Sequence, residues 1–95
     1  MGVQTLEKEF VIRNKAGIHA RPASALLMAV AASGCEVEIA NPAKGTEADG
    51  NSIMAILALE GTTGDRLRVR ARGENAAPLM EKLGALFDAG FGEEC

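Results

Sequence analysis

The 95-residue sequence contains one histidine, His19, within the stretch NKAGIHARPASA that runs from Asn14 to Ala25. Arg21 follows two residues later, and Pro22 comes directly after it. An unprotonated imidazole nitrogen carries a lone pair and is a nucleophile toward phosphorus. A guanidinium group holds phosphate oxygens through paired hydrogen bonds. His19 and Arg21 together therefore indicate a site that accepts a phosphoryl group on nitrogen and hands it on.

A helix is predicted directly after this pair, and Pro22 limits where it can begin. The apolar residues recur at helical spacing before Gly34, namely Ala23, Leu26, Leu27, Val30 and Ala31. Proline fits within the first turn, so Pro22 is either the first helical residue or the third, with His19 as the cap. The second register puts Arg21 in a conformation that is disfavoured before proline. NAAPL at Asn75–Leu79 nevertheless repeats this spacing behind a good cap, which favours the His19 register.

A helix N-terminus has unpaired N–H groups and a positive dipole, so it suits an anion and favours the neutral imidazole of His19. The competing interpretation is that His19 is an ordinary exposed capping residue. Its motif contains no second acid, base or nucleophile. That absence argues against a small enzyme that uses His19 as a base. It does not argue against a carrier, because a carrier relies on the catalytic groups of its partner proteins.

The remaining patterns predict an α+β fold. Period-two alternation predicts strands at Thr5–Ile12, Glu36–Ala40 and Asp65–Gly73. Thr46–Gly50 is expected to be a weak, polar strand at an edge of the sheet, and helices are predicted at Asn51–Gly61 and Glu74–Gly90. The order is βαββαβα, which suits a four-stranded antiparallel sheet with three helices on one face. Arg66, Arg68 and Arg70 share one strand face and would repel one another without acidic neighbours.

Acidic pairs occur in the first two strands, Glu7 with Glu9 and Glu36 with Glu38. Opposite charges across strands are stabilising, so the fourth strand is expected between the first and the second. The rival interpretation of the arginine row is a nucleic-acid surface. A net charge of −3 and only three aromatic residues disfavour it, because such surfaces are basic and often stack bases on aromatic rings.

Composition sets further bounds. The length suits one domain, residues 1–95. No basic segment followed by an apolar segment opens the chain, and no apolar run approaches the length of a membrane span. Cys35 and Cys95 are too few for a disulfide scaffold, so we expect reduced thiols and a cytoplasmic protein. One histidine and two distant cysteines offer no metal-ligand set.

GIHARPA, from Gly17 to Ala23, resembles the active-site segment of the histidine-containing phosphocarrier (HPr) family of the bacterial phosphotransferase system. The resemblance continues through NSIMAILAL at the second helix and the last strand, and the tail ALFDAGFGEE looks closest to the nitrogen-related branch, NPr. It implies an open-faced β-sandwich with sheet order 1-4-2-3. It also implies that His19 carries phosphoryl on Nδ1, taken from enzyme I and passed to an EIIA protein, while Arg21 stabilises the phosphate.

The resemblance further implies a monomeric, stoichiometric carrier without a cofactor, in sugar uptake or nitrogen-branch regulation. The alternative function is a regulatory binding module that controls a kinase or transporter through phosphorylation-dependent contact. Ser52 matches a serine modified by HPr kinase/phosphorylase in some bacteria. A serine at a helix start is also an ordinary cap. The residue before it is Asn51, whereas many relatives have a basic residue there.

A docking surface for the partners is expected on the first two helices. Ile53, Met54 and Leu57 cannot all point inward on a short helix, and Met28 must face outward on the first. A contiguous apolar patch with adaptable methionines suits several partners. The competing interpretation is loose packing of a small core. The expected docking residues are Ala20, Ser24, Met28, Ile53, Met54 and Leu57. Sugar-branch relatives often carry lysines on this face, where this chain has Met28, Ala31 and Ala55.

Overall fold

The computed structural model describes residues 3–95, so the first two residues of the predicted domain lie outside it. The elements are β1 (Gln4–Val11), α1 (Ala20–Ser33), β2 (Glu36–Asn41), β3 (Thr46–Asp49), α2 (Ile53–Leu57), β4 (Arg66–Gly73) and α3 (Ala76–Asp88). The predicted order βαββαβα is confirmed. None of the helices within residues 3–95 has both the length and the apolar character needed to cross a bilayer.

The four strands form one antiparallel sheet in the order β1-β4-β2-β3. The place of β4 between β1 and β2, predicted from the charges, is confirmed, as is the full order that the resemblance implied. The register places Arg70 opposite Glu7 on one side and Glu38 on the other. The Arg70 guanidinium lies 3.4 Å from the Glu7 carboxylate and 3.8 Å from that of Glu38. Arg72 pairs with Glu36 at 3.2 Å. These exposed pairs each contribute little energy, but together they favour one order and register of the strands.

The other face of the sheet carries the core, because inward side chains alternate along β2 and β4. Its sheet side is formed by Val37, Ile39, Leu67, Val69 and Ala71, all buried. Its helix side is formed by residues of α1 and α3 that are equally buried, among them Leu26, Val30, Leu79, Leu83 and Phe87. Phe87 stacks on Phe10 of β1 with ring centroids 5.0 Å apart. This packing fixes α1, and with it the residues that begin α1.

One predicted bound of the helices is wrong, and the apolar spacing of α1 marks its buried face only in part. The second helix was expected to continue to Gly61, but α2 ends at Leu57 and the chain then reverses with Glu60 at a φ of 58°. Leu59 fills the core from this turn instead of from a helix. In α1, Ala31 is exposed and Ala29 is buried. A helix so rich in apolar residues does not mark its inward face clearly, and the packing against the sheet selects it.

Candidate functional site

His19 is the residue that caps α1, so Pro22 is the third helical residue and the favoured register is confirmed. His19 has extended backbone angles, and its carbonyl oxygen accepts the N–H of Ala23 at 2.9 Å. Its side chain makes no capping hydrogen bond to the helix. The amides of Ala20 and Arg21 open the first turn, where N–H groups have no intrahelical acceptor. The ring therefore lies at the positive end of a 14-residue helix.

The loop before His19 is fixed by close contacts with the loop around Gly61. Gly17 has a φ of +71°, a left-handed conformation that glycine adopts without strain. The Ile18 N–H donates to the Gly61 carbonyl at 2.9 Å, and Ile18 is buried. The buried Asn14 side chain closes the loop by donating from Nδ2 to the Gly17 carbonyl at 2.7 Å. These bonds hold the backbone that carries His19.

A carboxylate from the far end of the chain contacts the imidazole. Glu93 places its two oxygens 2.7 Å and 2.9 Å from Nε2 of His19. Asn14 Nδ2 donates to the same carboxylate at 2.8 Å. The His19 side chain is 43% exposed and that of Glu93 is 14% exposed. The hydrogen bond from His19 is the main reason that the pKa of Glu93 lies below its usual range, and the Asn14 hydrogen bond and the nearby charge of Arg21 act in the same direction.

This contact assigns different roles to the two ring nitrogens. Because an ionised carboxylate can only accept hydrogen bonds, Nε2 of His19 must donate, and this identifies Nε2 as the protonated nitrogen. In the neutral ring the lone pair is then on Nδ1. The geometry supports a nucleophilic nitrogen that makes no capping bond, on a partly exposed side chain at a helix N-terminus.

Sequence reasoning missed Glu93 and Asn14. The motif around His19 lacks a carboxylate, as noted above, but the folded tail supplies one from 74 positions away. The local signal is the segment Gly90–Gly92, in which two glycines flank Phe91 directly after α3. Such a segment predicts a chain reversal, but only the packed structure shows where the reversed chain arrives.

Arg21 is exposed on the first turn of α1 and makes no ion pair within residues 3–95. Its guanidinium is thus available to a ligand beside His19. Among the same residues, no three His, Cys, Asp or Glu side chains are grouped to hold a metal ion.

Ser52 and the expected docking residues lie on the neighbouring helices. Ser52 caps α2, and its hydroxyl accepts the Ala55 N–H at 3.1 Å. Met28 and Met54 are 70% and 73% exposed. Ala20 and Ser24 are exposed on α1, whereas Ile53 and Leu57 are half-buried on α2. Since α1 and α2 pack against each other, these residues lie on adjoining elements.

Comparisons with known proteins bear on the same site. The family model described as "PTS HPr component phosphorylation site" matches residues 6–89. Phosphocarrier protein NPr of Escherichia coli K12 is 37% identical over 90 residues, covering 95% of this chain and 99% of that protein. The multiphosphoryl transfer protein of Salmonella typhimurium LT2 is 38% identical over 89 residues, or 93% of this chain, and the chain spans only 24% of that relative's length.

A crystal structure of HPr-C-His from Thermoanaerobacter tengcongensis superimposes with a TM-score of 0.85 at 27% identity, covering 95% of this chain and 99% of that one. The match to the family model spans most of the sequence and includes the GIHARPA segment. The strand order and the helices agree with the same assignment. The chain therefore belongs to the HPr family of phosphotransferase-system phosphocarrier proteins.

Proposed function

We propose that this protein accepts a phosphoryl group on Nδ1 of His19 from enzyme I and passes it to an EIIA protein or domain. The observation that carries the proposal is the state of the ring at the start of α1. It is 43% exposed, its Nε2 is bound by a carboxylate, and no capping bond occupies its other nitrogen. The helix N-terminus favours the dianionic group that such a reaction would place there.

Arg21 is the proposed phosphate-stabilising residue. Phosphoryl transfer passes through a loose, nearly in-line transition state, so the protein contributes mainly position and charge. The exposed Arg21 guanidinium, close enough to lower the pKa of Glu93 by its charge, can supply donors to the phosphoryl oxygens. The chemistry is completed by each partner, which provides the donor or the acceptor atom. The protein acts as a stoichiometric carrier in this scheme.

Enzyme I and the EIIA protein would dock on α1 and α2. The exposed Met28 and Met54 support this assignment, because large apolar side chains at the surface beside a reactive group suit an interface with more than one partner. The same surface favours the second candidate function, in which the free or phosphorylated form regulates a kinase or transporter by contact. Modification of Ser52 by HPr kinase/phosphorylase would add negative charge to this surface.

Incubation with phosphoenolpyruvate and catalytic enzyme I tests the proposal. We expect one acid-labile phosphate per chain, a phosphorus NMR signal of Nδ1-phosphohistidine, and loss of both in His19→Ala. Arg21→Ala should slow transfer by about tenfold or more, because donors to the transferring group are removed. Arg13→Ala is the matched control, since Arg13 is an exposed arginine that pairs with Asp88. A wild-type protein that gains no acid-labile phosphate would reject the carrier function.

A further inference from the structure

The ring nitrogen of His19 that the proposed reaction does not use is held by Glu93. Both carboxylate oxygens lie within hydrogen-bond distance of Nε2, at 2.7 Å and 2.9 Å. The carboxylate is itself oriented, because Asn14 Nδ2 donates to it at 2.8 Å and to the Gly17 carbonyl at 2.7 Å. Asn14 is completely buried. The imidazole is thus connected through Glu93 to a fixed amide in the core of its own loop.

The tail adopts an uncommon backbone conformation on the way to this contact. Gly90, Phe91 and Gly92 have consecutive φ values of 59°, 56° and 75°. Glycine tolerates the left-handed region, whereas an L side chain such as that of Phe91 adopts it only with strain. Its buried ring packs edge-on against Phe87 with centroids 5.0 Å apart, which holds the residue in place. The packing therefore maintains a strained reversal that directs Glu93 back to the loop.

A second attachment follows directly after Glu93. The Lys15 N–H donates to the Glu94 carbonyl at 2.9 Å, and the Lys15 ammonium lies 3.3 Å from the Glu94 carboxylate. The Glu94 side chain is 80% exposed, whereas that of Glu93 is 14% exposed and faces the imidazole. The contacts of Glu94 with Lys15 therefore hold the tail in place without any contribution from His19. The contact between Glu93 and the imidazole is therefore not needed to hold the tail, and a role in the reaction of His19 would explain it.

We propose that Glu93 is a positioning residue for phosphoryl transfer, which keeps the proton on Nε2 of His19 before and after the group is bound to Nδ1. This inference rests on the proposed function. In the forward step the Nδ1 lone pair forms the bond to phosphorus. The donor's bond to phosphorus breaks at the same time, and its electron pair leaves with the donor. The Nε2 proton stays on the ring, which becomes a cationic phosphoimidazolium facing the carboxylate.

The same contact favours onward transfer. When an acceptor attacks phosphorus, the N–P bond breaks and its electron pair returns to Nδ1. Because Nε2 still carries its proton, the leaving group is a neutral imidazole and not an imidazolate anion. Glu93 stabilises the positive charge that the ring carries in between, through a charge-assisted hydrogen bond. One carboxylate thus assists both directions of a reversible transfer without itself gaining or losing a proton.

Two variants at Glu93 and one control separate this role from tail fastening. Glu93→Gln keeps an oxygen that can accept from His19 and Asn14 but removes the charge, and Glu93→Ala removes both. Glu94→Gln removes a charge from the same tail without touching the ring. Ring-selective nitrogen NMR at about pH 9, where imidazole is neutral, reports which nitrogen is protonated. Rapid mixing with a phosphorylated donor protein reports the rate of transfer.

We expect a protonated Nε2 whose hydrogen exchanges slowly with water in the wild type and in Glu94→Gln. In Glu93→Ala this exchange should become fast, and a second tautomer should appear. Transfer should slow by about tenfold in both Glu93 variants, the loss expected for one charge-assisted hydrogen bond, and should be unchanged in Glu94→Gln.

Two outcomes overturn the inference. One is an Nε2 signal in Glu93→Ala that matches the wild type, and the other is a Glu93→Gln transfer rate equal to that of Glu94→Gln. Failure of the proposed function looks different, because then no variant, the wild type included, gains phosphate from the donor. The NMR result still decides the positioning of the ring in that case.

Discussion

Gly17 and Gly61 approach so closely that a Cβ on Gly17 would lie 2.5 Å from the Gly61 carbonyl oxygen. Gly17 also has a φ of +71°, where an L side chain is strained. We predict that Gly17→Ala lowers the free energy of unfolding by about 2–4 kcal/mol, through backbone strain plus the steric overlap. Urea unfolding followed by circular dichroism measures the change.

Gly34→Ala is the control for this prediction. Gly34 has nearly the same φ, 70°, but a Cβ there would meet no atom within 4 Å beyond its own chain neighbours. This variant should cost only the strain of the left-handed backbone, about 1 kcal/mol. If Gly17→Ala costs no more than Gly34→Ala, the contact between the two loops does not matter for stability.

Asp65 joins the turn that carries Lys44 to the loop that carries Thr62. Its Oδ2 is 2.7 Å from the Lys44 ammonium and accepts the Thr62 N–H at 3.1 Å. The Lys44 hydrogen bond, followed by the Thr62 amide, holds the pKa of Asp65 far below its usual range. We predict that Asp65→Asn costs about 2 kcal/mol of unfolding free energy at neutral pH.

The pH dependence of this cost has a definite sign. A carboxyl group whose pKa is depressed by folding contributes stability above its unfolded pKa, about 3.9 for Asp, and loses it as the pH falls further. The gap between wild type and Asp65→Asn should therefore narrow below about pH 4. Asp88→Asn removes an exposed carboxylate that pairs with Arg13 at 3.9 Å, and it should cost under about 0.5 kcal/mol at any pH. If the difference in unfolding free energy between wild type and Asp65→Asn does not change with pH, the depressed pKa of Asp65 is contradicted.

Salt should have little effect on docking at α1 and α2. The exposed side chains there include Met28 and Met54, and Ala31 is exposed as well. We predict that affinity for enzyme I falls less than about threefold between 0.05 M and 0.5 M salt, because few charges are screened. Met28→Lys should make the dependence steeper. Calorimetric titration measures both, and a steep loss for the wild type would show that other charges dominate docking.

Ser52 can be tested for regulation without a kinase. Asp is as good a helix cap as Ser, so Ser52→Asp should keep the unfolding free energy within about 0.5 kcal/mol of wild type. The added charge should weaken binding to enzyme I if Ser52 is a regulatory site. Ser52→Ala should lose about 1 kcal/mol of stability, because the cap is removed, and should bind enzyme I as the wild type does. Equal binding by wild type and Ser52→Asp would leave Ser52 as a cap alone.

The sheet could be predicted from the sequence because its charges are patterned. The arginines of β4 need acids on both sides, and the glutamate pairs of β1 and β2 offer them at matching spacing, which predicts β4 between these two strands. The full strand order was implied by the family resemblance. The start of α1 followed from the limits that Pro22 sets on a helix. Both predictions depend on local or period-two patterns. The proposal of His19 and Arg21 as site residues likewise depends on a local motif.

The end of α2 and the contact of Glu93 with His19 could not be predicted in this way. Gly61 is a plausible helix terminator, but α2 ends earlier, at Leu57, and the turn that follows places Leu59 in the core. Glu93 lies in an acidic tail that looks like a solvated end in the sequence. Its contact with His19 depends on a left-handed reversal at Phe91, and that reversal depends on packing against Phe87. Such contacts emerge only from tertiary structure.

The position of β4 between β1 and β2 has a consequence for biosynthesis. A ribosome makes β1 well before the strand with which β1 pairs, Arg66–Gly73, because α1, β2, β3 and α2 lie between them in the sequence. The nascent chain must therefore leave the backbone hydrogen-bonding groups of β1 unpaired until β4 has been made, a state in which aggregation competes with folding. Because such distant pairings also form slowly, the sheet is expected to close only after β4 has left the ribosome.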